Sequence, residues 1–199
     1  MGGPSILSKK RIPSGNWLYL EELTYLDHHG VRRKWECSRR TDGTGAVAII
    51  ALLKPSNRII LVRQFRPPAG GHVIEFPAGL CGKGEKPEVT AIRELYEETG
   101  YSGRITGMSR PIYSSPGMTG ENVRIVHMDI DERHVRNRNP ETAFDDGEHI
   151  ETFLVPVGKI GNFLEKMYKK GDRLDAKVVS FARGLALTVK NNRKKKKGY

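Results

Sequence analysis

The sequence predicts an α/β chain in which a series of strands is interrupted by one helix that carries chemistry, with an antiparallel hairpin ahead of it. Three observations support this. Ala46 to Leu53 and Ile59 to Phe65 are apolar runs of strand length, as buried central strands are. Pro87 opens a run with Ala91, Ile92, Leu95 and Thr99 that closes at Gly100, a helix begun by proline and ended by glycine. Trp17 to Leu26 and Val31 to Ser38 are β-rich and separated by Asp27-His28-His29-Gly30, which predicts the hairpin. Further strands are expected at 73–76, 103–113, 122–130 and 150–156. Two helices should close the chain, at 159–169 and 176–190, the first with Phe163, Leu164 and Met167 as its apolar stripe.

A chain of 199 residues is long enough for one domain with a full core. No run of 18 apolar residues occurs, so no membrane span is expected. Lys9, Lys10 and Arg11 are not followed by an apolar core, so no secretory signal is expected. Cys37 and Cys81 have no metal-ligand spacing and read as free thiols in a reducing compartment. The net charge of +11 is unevenly placed, for no acidic residue follows Asp175. The terminal NNRKKKKGY reads as disordered. Such a segment can be a solvated tail, a nuclear-import signal or a contact for nucleic acid or an anionic membrane.

The densest chemical signal lies between residues 79 and 101, where Gly79, Glu85, Arg93, Glu94, Glu97, Glu98 and Gly100 fall at fixed spacings. At about 6% usage per residue type, seven such identities would recur by chance on the order of once in 10⁸ starts. Glu94 lies four residues from Glu98 and three from Glu97, so the three side chains occupy adjoining parts of one helix face. Like charges this close would destabilise an isolated helix. Hard oxygen donors crowded in this way suit Mg²⁺, which also binds substrate phosphates. Arg93 can pair with a neighbouring carboxylate, and the glycine-rich 79–84 loop lets backbone approach the ion. The later Asp145-Asp146-Gly147-Glu148 adds donors, enough for two or three ions. The same four residues also read as a polar turn before the strand Phe153 to Val157.

This stretch resembles the Nudix box, G-x5-E-x7-R-E-U-x-E-E-x-G-U, the signature of hydrolases that cut nucleoside diphosphates linked to another group. Every charged and glycine position matches, and Tyr101 stands where the pattern usually carries an aliphatic residue. The resemblance implies an α/β/α sandwich with a mixed β-sheet, here preceded by the antiparallel hairpin. It divides the chain into a tail (1–14), a hairpin (15–44), a Nudix hydrolase domain (45–189) and a disordered basic tail (190–199). It further implies Mg²⁺, with Mn²⁺ as an alternative, held by Glu94 and Glu98 with Glu97 and Glu85 in support. In the most similar Nudix enzymes a glutamate of the later loop completes the site, as base or metal contact. Glu148 is the matching position, Glu151 is the reserve, and Glu97 and Glu148 both remain candidates for the base.

Outside the box, Val62-Arg63-Gln64-Phe65-Arg66-Pro67-Pro68 and Val73-Ile74-Glu75-Phe76-Pro77-Ala78-Gly79 resemble the ADP-ribose pyrophosphatase (ADP-sugar pyrophosphatase) branch of that family. The likeness spans roughly residues 15 to 187. It implies an adenine slot formed by Trp17 and Trp35, where stacking contributes roughly 1–3 kcal/mol per base. Glu36 and Arg40 would add polar contacts, and Arg66 would hold the pyrophosphate in bidentate fashion. Glu75 and the Ala78 carbonyl would complete the metal neighbourhood. The branch also implies a homodimer that exchanges the N-terminal hairpin, so each site draws on both chains. The expected reaction is Mg²⁺-dependent hydrolysis of ADP-ribose to AMP and ribose 5-phosphate. Alternatives are a UDP- or GDP-sugar, an oxidised guanine nucleoside diphosphate, or a nucleic-acid-binding or RNA-decapping Nudix protein that uses the basic tail. No membrane partner is expected, and the location implied is cytoplasmic, with the nucleus open to a chain carrying such a tail. His72, His127, His134 and His149 share no ligand spacing, and only His149, beside Glu148, merits a test for catalysis.

Overall fold

Three antiparallel strands come first, β1 (Ser5–Ile12), β2 (Leu18–Leu26) and β3 (Arg32–Arg40), paired in that order. The computed structural model describes residues 5–12, 15–41, 45–144 and 149–196, with side chains described within 7–11, 15–41, 45–144 and 149–188. β2 and β3 are the expected hairpin. Asp27 closes its turn by accepting the His29 and Val31 N–H groups on Oδ1 at 2.9 Å. β1 falls in the segment 1–14 read as a tail, and the difference has a charge basis. Lys10 lies opposite Glu22 and Arg11 opposite Glu21, cross-strand pairs of the kind that stabilise an edge strand.

β4 (Ala46–Lys54) and β5 (Arg58–Arg66) start the second sheet as a hairpin, but pair with each other only at Leu52–Ile59 and Leu53–Arg58. Beyond that point they splay. β6 (Gly71–Glu75) pairs with β5, and β7 (Ala78–Leu80) pairs with β4. α1 (Pro87–Thr99) follows, then β8 (Arg104–Met108), β9 (Ile112–Tyr113), β10 (Asn122–Asp131) and β11 (Ile150–Pro156). α2 (Ile160–Lys169), β12 (Arg173–Leu174) and α3 (Ala176–Lys196) end the described chain. The nine-stranded sheet has the order β12-β6-β5-β4-β10-β8, with β11 added on β5, β7 on β4 and β9 on β10. It is mixed, because β10 runs parallel to β4 and β12 parallel to β6.

Local chemistry explains where elements begin and end. Pro87 opens α1, and Gly100 closes it at φ 71°, donating its N–H to the Tyr96 carbonyl at 2.7 Å. A side chain at Gly100 is excluded twice, by that φ and by the Glu141 backbone nitrogen, which a Cβ would meet at 2.5 Å. The single strand expected over 103–113 is two strands. Pro111 has no N–H for the ladder, and the Ser109 hydroxyl accepts the Ile125 N–H at 2.9 Å where the chain turns. α3 continues past the expected limit of 190 to Lys196, so the segment read as disordered is helical up to that residue. Lysine and arginine are among the better helix formers, so a run of them in the sequence does not by itself end a helix. Residues 197–199 lie outside the described residues.

α1 covers one face of the sheet, and α2 with α3 cover the other, which makes an α/β/α sandwich. Under α1, Leu95 packs with Val47, Ile49, Leu53, Val126 and Met128. Tyr101, the departure from the motif, joins this cluster and is buried. On the other face Leu164, Met167 and Val178 pack on Ile59, Leu61, Ile74 and Phe76. Val47, Ala48 and Ile49 are consecutive and all fully buried, the pattern of a strand covered on both faces. Cys37 and Cys81 are buried free thiols. Among the described residues no helix is long and apolar enough to cross a membrane.

Leu95 is the fully buried residue that anchors α1 to the sheet. Leu95→Ala is expected to lower the unfolding free energy by about 2–5 kcal/mol, measured by urea denaturation. A loss below about 1 kcal/mol would show that α1 does not depend on this contact.

Candidate active site

Where β4 parts from β5, a cavity of about 540 Å³ opens beneath α1. α1 turns Glu94, Glu97 and Glu98 into it, β7 contributes Ala78 to Leu80, and β5 and β6 contribute Gln64, Arg66 and Glu75. Arg40, Glu121 and Lys177 line it from β3, the approach to β10 and α3.

Arg93 organises the acidic wall. Its Nη1 donates to Glu94 Oε1 and Glu97 Oε2, each at 2.8 Å, while Nε and Nη2 donate to the two oxygens of Glu85 at 3.1 Å. A planar guanidinium with five N–H groups can make these four bonds to three carboxylates, whereas a lysine has only three N–H groups. The Arg93 bonds, and then the Gly82 N–H at 2.8 Å, hold the Glu85 carboxyl down at about 2. Arg93 is itself held above its ordinary value, chiefly by Glu85. Glu98 is 5% exposed and accepts the Ala78 N–H at 3.2 Å, tying helix to strand at the deepest part of the wall. Gly79 leaves room for the Glu94 carboxyl, which any Cβ at that position would overlap.

Cations line the same cavity. Arg66 donates from Nε to Glu75 at 2.7 Å, Arg40 donates from Nε to Glu121 at 2.6 Å, and Lys177 pairs with Asp175 at 2.7 Å. Among the described lining residues, five carboxylates (Glu75, Glu94, Glu97, Glu98, Glu121) face four cations (Arg40, Arg66, Arg93, Lys177), a formal excess of one negative charge. A phosphate-bearing ligand would meet repulsion there unless a cation came with it. The donor set fits a hard divalent ion, because it is all oxygen and Gly79 keeps the Glu94 carboxyl against the strand. Among the described residues, however, no group of three His, Cys, Asp or Glu side chains surrounds a common centre. Arg93 gathers Glu85, Glu94 and Glu97 instead, and holding an ion would draw them from the guanidinium.

The structure thus brings together Ala78, Arg93, Glu94, Glu97, Glu98, Arg66, Arg40 and Glu75, with Glu85 joined through Arg93. It does not bring Trp17, Trp35 or Glu36 into the cavity of the same chain. Trp17 is 80% exposed, and Trp35 is 48% exposed, with its indole N–H donated to the Gly117 carbonyl at 3.0 Å. Glu36 is exposed on β3 opposite Glu22. Glu148 lies in 145–148, outside the described residues. The reserve Glu151 is bound by Arg63, which also holds the buried Asp172. Sequence reasoning assigned no role to Glu121, Gln64 or Lys177. Glu121 is 81 residues from its partner Arg40, a separation at which no local pattern reports the contact.

A helix whose arginine orders its own glutamates, closed by glycine and set against a glycine-bearing strand, defines a class. The chain belongs to the Nudix hydrolase family, whose NUDIX domain matches residues 43–178. Among its relatives, ADP-ribose pyrophosphatase of Saccharomyces cerevisiae is 37% identical over 179 residues, covering 86% of this chain and 78% of that one. ADP-sugar pyrophosphatase of Mus musculus is 35% identical over 196 residues, 94% of this chain and 89% of that one. GDP-mannose pyrophosphatase of Cronobacter sakazakii is 33% identical over 191 residues, 91% and 94% of the two chains. The crystal structure of an ADP compounds hydrolase superposes with a TM-score of 0.71 over 96% of this chain and 97% of that one; at 22% identity it shows the shared fold.

Two outcomes follow from this geometry. Gly79→Ala should displace the flexible Glu94 side chain, leaving the thermal unfolding midpoint near wild type while kcat/KM on a cleaved diphosphate falls about 100-fold. Glu85 ionises at about 2 in the fold against an ordinary 4.5, so its contribution to stability is complete above 4.5 and is lost as the pH falls through 2. The stability gap between wild type and Glu85→Gln should therefore be widest near neutral pH and close across that window, and a gap independent of pH would contradict the ion pair.

Proposed function

We propose that this chain hydrolyses the diphosphate of ADP-ribose and related ADP-sugars, giving AMP and, from ADP-ribose, ribose 5-phosphate. The observation that carries this reading is one cavity with an acidic helix face on one side and Arg40, Arg66 and Lys177 on the other. ADP-ribose and ADP-sugar pyrophosphatases among the relatives support the adenylyl part of the substrate. The residues that would hold Mg²⁺ are Glu94 and Glu98, supported by Glu85, Glu97, Glu148 and the Ala78 carbonyl, and Mn²⁺ suits the same oxygens. When bound, such an ion neutralises charge on the diphosphate and makes water a stronger nucleophile. Arg66, its plane fixed by Glu75, grips one phosphate, and Arg40 stands ready for the other. Glu97 or Glu148 takes the proton of the attacking water. Arg93 keeps Glu85, Glu94 and Glu97 from repelling one another before the substrate arrives.

Trp17, Trp35 and Glu36 enter this reading through a homodimer. They are exposed on the N-terminal sheet, with Trp35 on one face and Leu18 and Leu20 on the other, surface that a second copy would cover while its hairpin brought the rings to this cavity. The partner class is a nucleoside diphosphate sugar, the location is the cytoplasm, and any nucleic-acid contact is confined to the basic end of α3. A GDP-sugar is the second reading, favoured by the GDP-mannose pyrophosphatase relative.

The test is product analysis with ADP-ribose, ADP-glucose, UDP-glucose and GDP-mannose, with and without Mg²⁺, for wild type, Glu98→Gln, Glu97→Gln and Glu148→Gln. Mg²⁺-dependent AMP from ADP-ribose, lost in Glu98→Gln, is expected. Whichever of Glu97→Gln and Glu148→Gln depresses kcat far more than KM identifies the base. Preference for GDP-mannose would move the base specificity to the second reading, and no hydrolysis of any sugar nucleotide would refute both.

A further inference from the structure

A cavity of about 410 Å³ opens where β4 and β10 end and β8 begins, and it shares no lining residue with the cavity beneath α1. β4 reaches the α1 cavity at Ala48 and this one at Lys54, roughly 20 Å further along the strand. Asn137, a buried polar residue of the lining, ties it together. Its side chain donates from Nδ2 to the Ser102 and Asp131 carbonyls at 2.9 Å and accepts the Ser102 N–H on Oδ1 at 2.8 Å. These bonds from one buried amide hold the turn at Val135–Asn137 against the chain entering β8.

The walls carry charge. Cross-strand register sets Asp131 of β10 beside Lys54 of β4, and Asp129 beside Arg104 of β8. Residues 129 and 131 are two apart, so they share one side of the sheet with both cations. Arg136 joins from the turn. Among the described lining residues three cations therefore meet two carboxylates, an excess of one positive charge with His134 neutral. Side chains that served only the sheet would close into ion pairs. Among the described residues, however, Lys54, Arg104 and Arg136 form none, and Glu132, the acid of the same turn, is taken by Arg58 and Ser56.

Such a lining selects by chemistry. A divalent ion meets only two carboxylates, beside three cations that repel it. An apolar ligand gains little, since Ile130, the large apolar residue of the lining, is fully buried. Sulfate satisfies the cations but turns only acceptor oxygens toward Asp129 and Asp131. A phosphate monoester of a polyol meets both needs, because its dianion suits guanidinium groups and its hydroxyls are donors for carboxylates. We propose that the cavity binds such a phosphorylated polyol, with the phosphate among Lys54, Arg104 and Arg136 and the hydroxyls donating to Asp129 and Asp131. The assignment rests on this lining and is independent of the reaction proposed for the other cavity.

The experiment follows the backbone amide resonances of the isotope-labelled full chain, without Mg²⁺, during titration with ribose 5-phosphate, a member of this class, with ribose and with sulfate. Ribose 5-phosphate should give saturable shifts at the Ser102, Gly103 and Asn137 amides, and ribose and sulfate should each bind at least about tenfold more weakly. Arg104→Glu and Arg136→Glu change exposed residues on two different elements, so the rest of the spectrum should stay in place while each weakens ribose 5-phosphate at least about tenfold. Asp129→Asn removes an acceptor charge and should narrow the preference for ribose 5-phosphate over sulfate. Shifts confined to the amides of residues 78–80, beside the other cavity, overturn the site. So does the absence of any saturable shift, or a pair of arginine variants that binds like wild type. Sulfate bound as tightly as ribose 5-phosphate reduces the site to an anion contact and overturns the polyol assignment.

Discussion

Arg93 is the constraint on which the site depends. Three of the box's four glutamates touch its guanidinium, and without that cation the face of α1 that meets β7 would be a patch of mutual repulsion. A helix with Glu94, Glu97 and Glu98 on one side cannot bury that side by hydrophobic packing. It is held instead by the adjoining buried stripe, through Leu95 and Ala91, and by polar ties at the edges. The Glu98 bond to the Ala78 N–H and the Arg93 contact with the Leu80 carbonyl at 3.4 Å are those ties. Each joins the helix to the backbone of β7, so the position of the carboxylates is fixed relative to the strand whose carbonyl would share an ion with them.

The cavity exists because a hairpin fails to stay paired. β4 and β5 hold each other at two pairs of residues next to the turn and then take different partners, β7 and β6. The short connection through Phe76 and Pro77 keeps those partners together: Phe76 is buried among the residues under α2 and α3, and the Pro77 carbonyl accepts the Ile49 N–H at 2.8 Å. The wedge separates Ala46 to Ala48 from Gln64 and Arg66 by enough to admit a ligand, while the sheet below the wedge remains continuous. The functional opening and the rigid core therefore come from the same strands, divided by position along them.

Much of this was legible in the sequence, and the reasons differ by element. The box, its helix and both helix ends were readable because the chemistry is local: spacing along one helix puts Glu94, Glu97 and Glu98 on one face, and Gly100 fits its left-handed C-cap. The central strands were readable because double-sided burial leaves an unbroken apolar run. β7 and β12 were not, being three and two residues long and defined by their partners rather than by their own composition. β1 was hidden because its Lys and Arg side chains resemble a solvated tail until Glu21 and Glu22 are set across from them. The Arg40–Glu121 pair was hidden for the same reason at longer range. Trp17 and Trp35 were picked out by resemblance, and within one chain neither lines the cavity, so any part they take requires geometry that a single chain does not contain.

A basic chain with an acidic cavity separates attraction from capture. The +11 charge of the whole chain sets up a field that attracts anions, and salt screens that field over about 8 Å under physiological conditions. Among the described residues of the cavity the sign reverses by one charge, so arrival alone would not secure a phosphate. Arg66 and Arg40 are partly committed to Glu75 and Glu121, and each such bond would have to be exchanged for a bond to phosphate on the function proposed above. That exchange would be favourable only if the carboxylates gained a partner as well, as a divalent ion would supply. On that reading substrate and ion are coupled: each would neutralise the charge that opposes the other, and glutamates that repel a bare diphosphate would favour one that arrives with its cation.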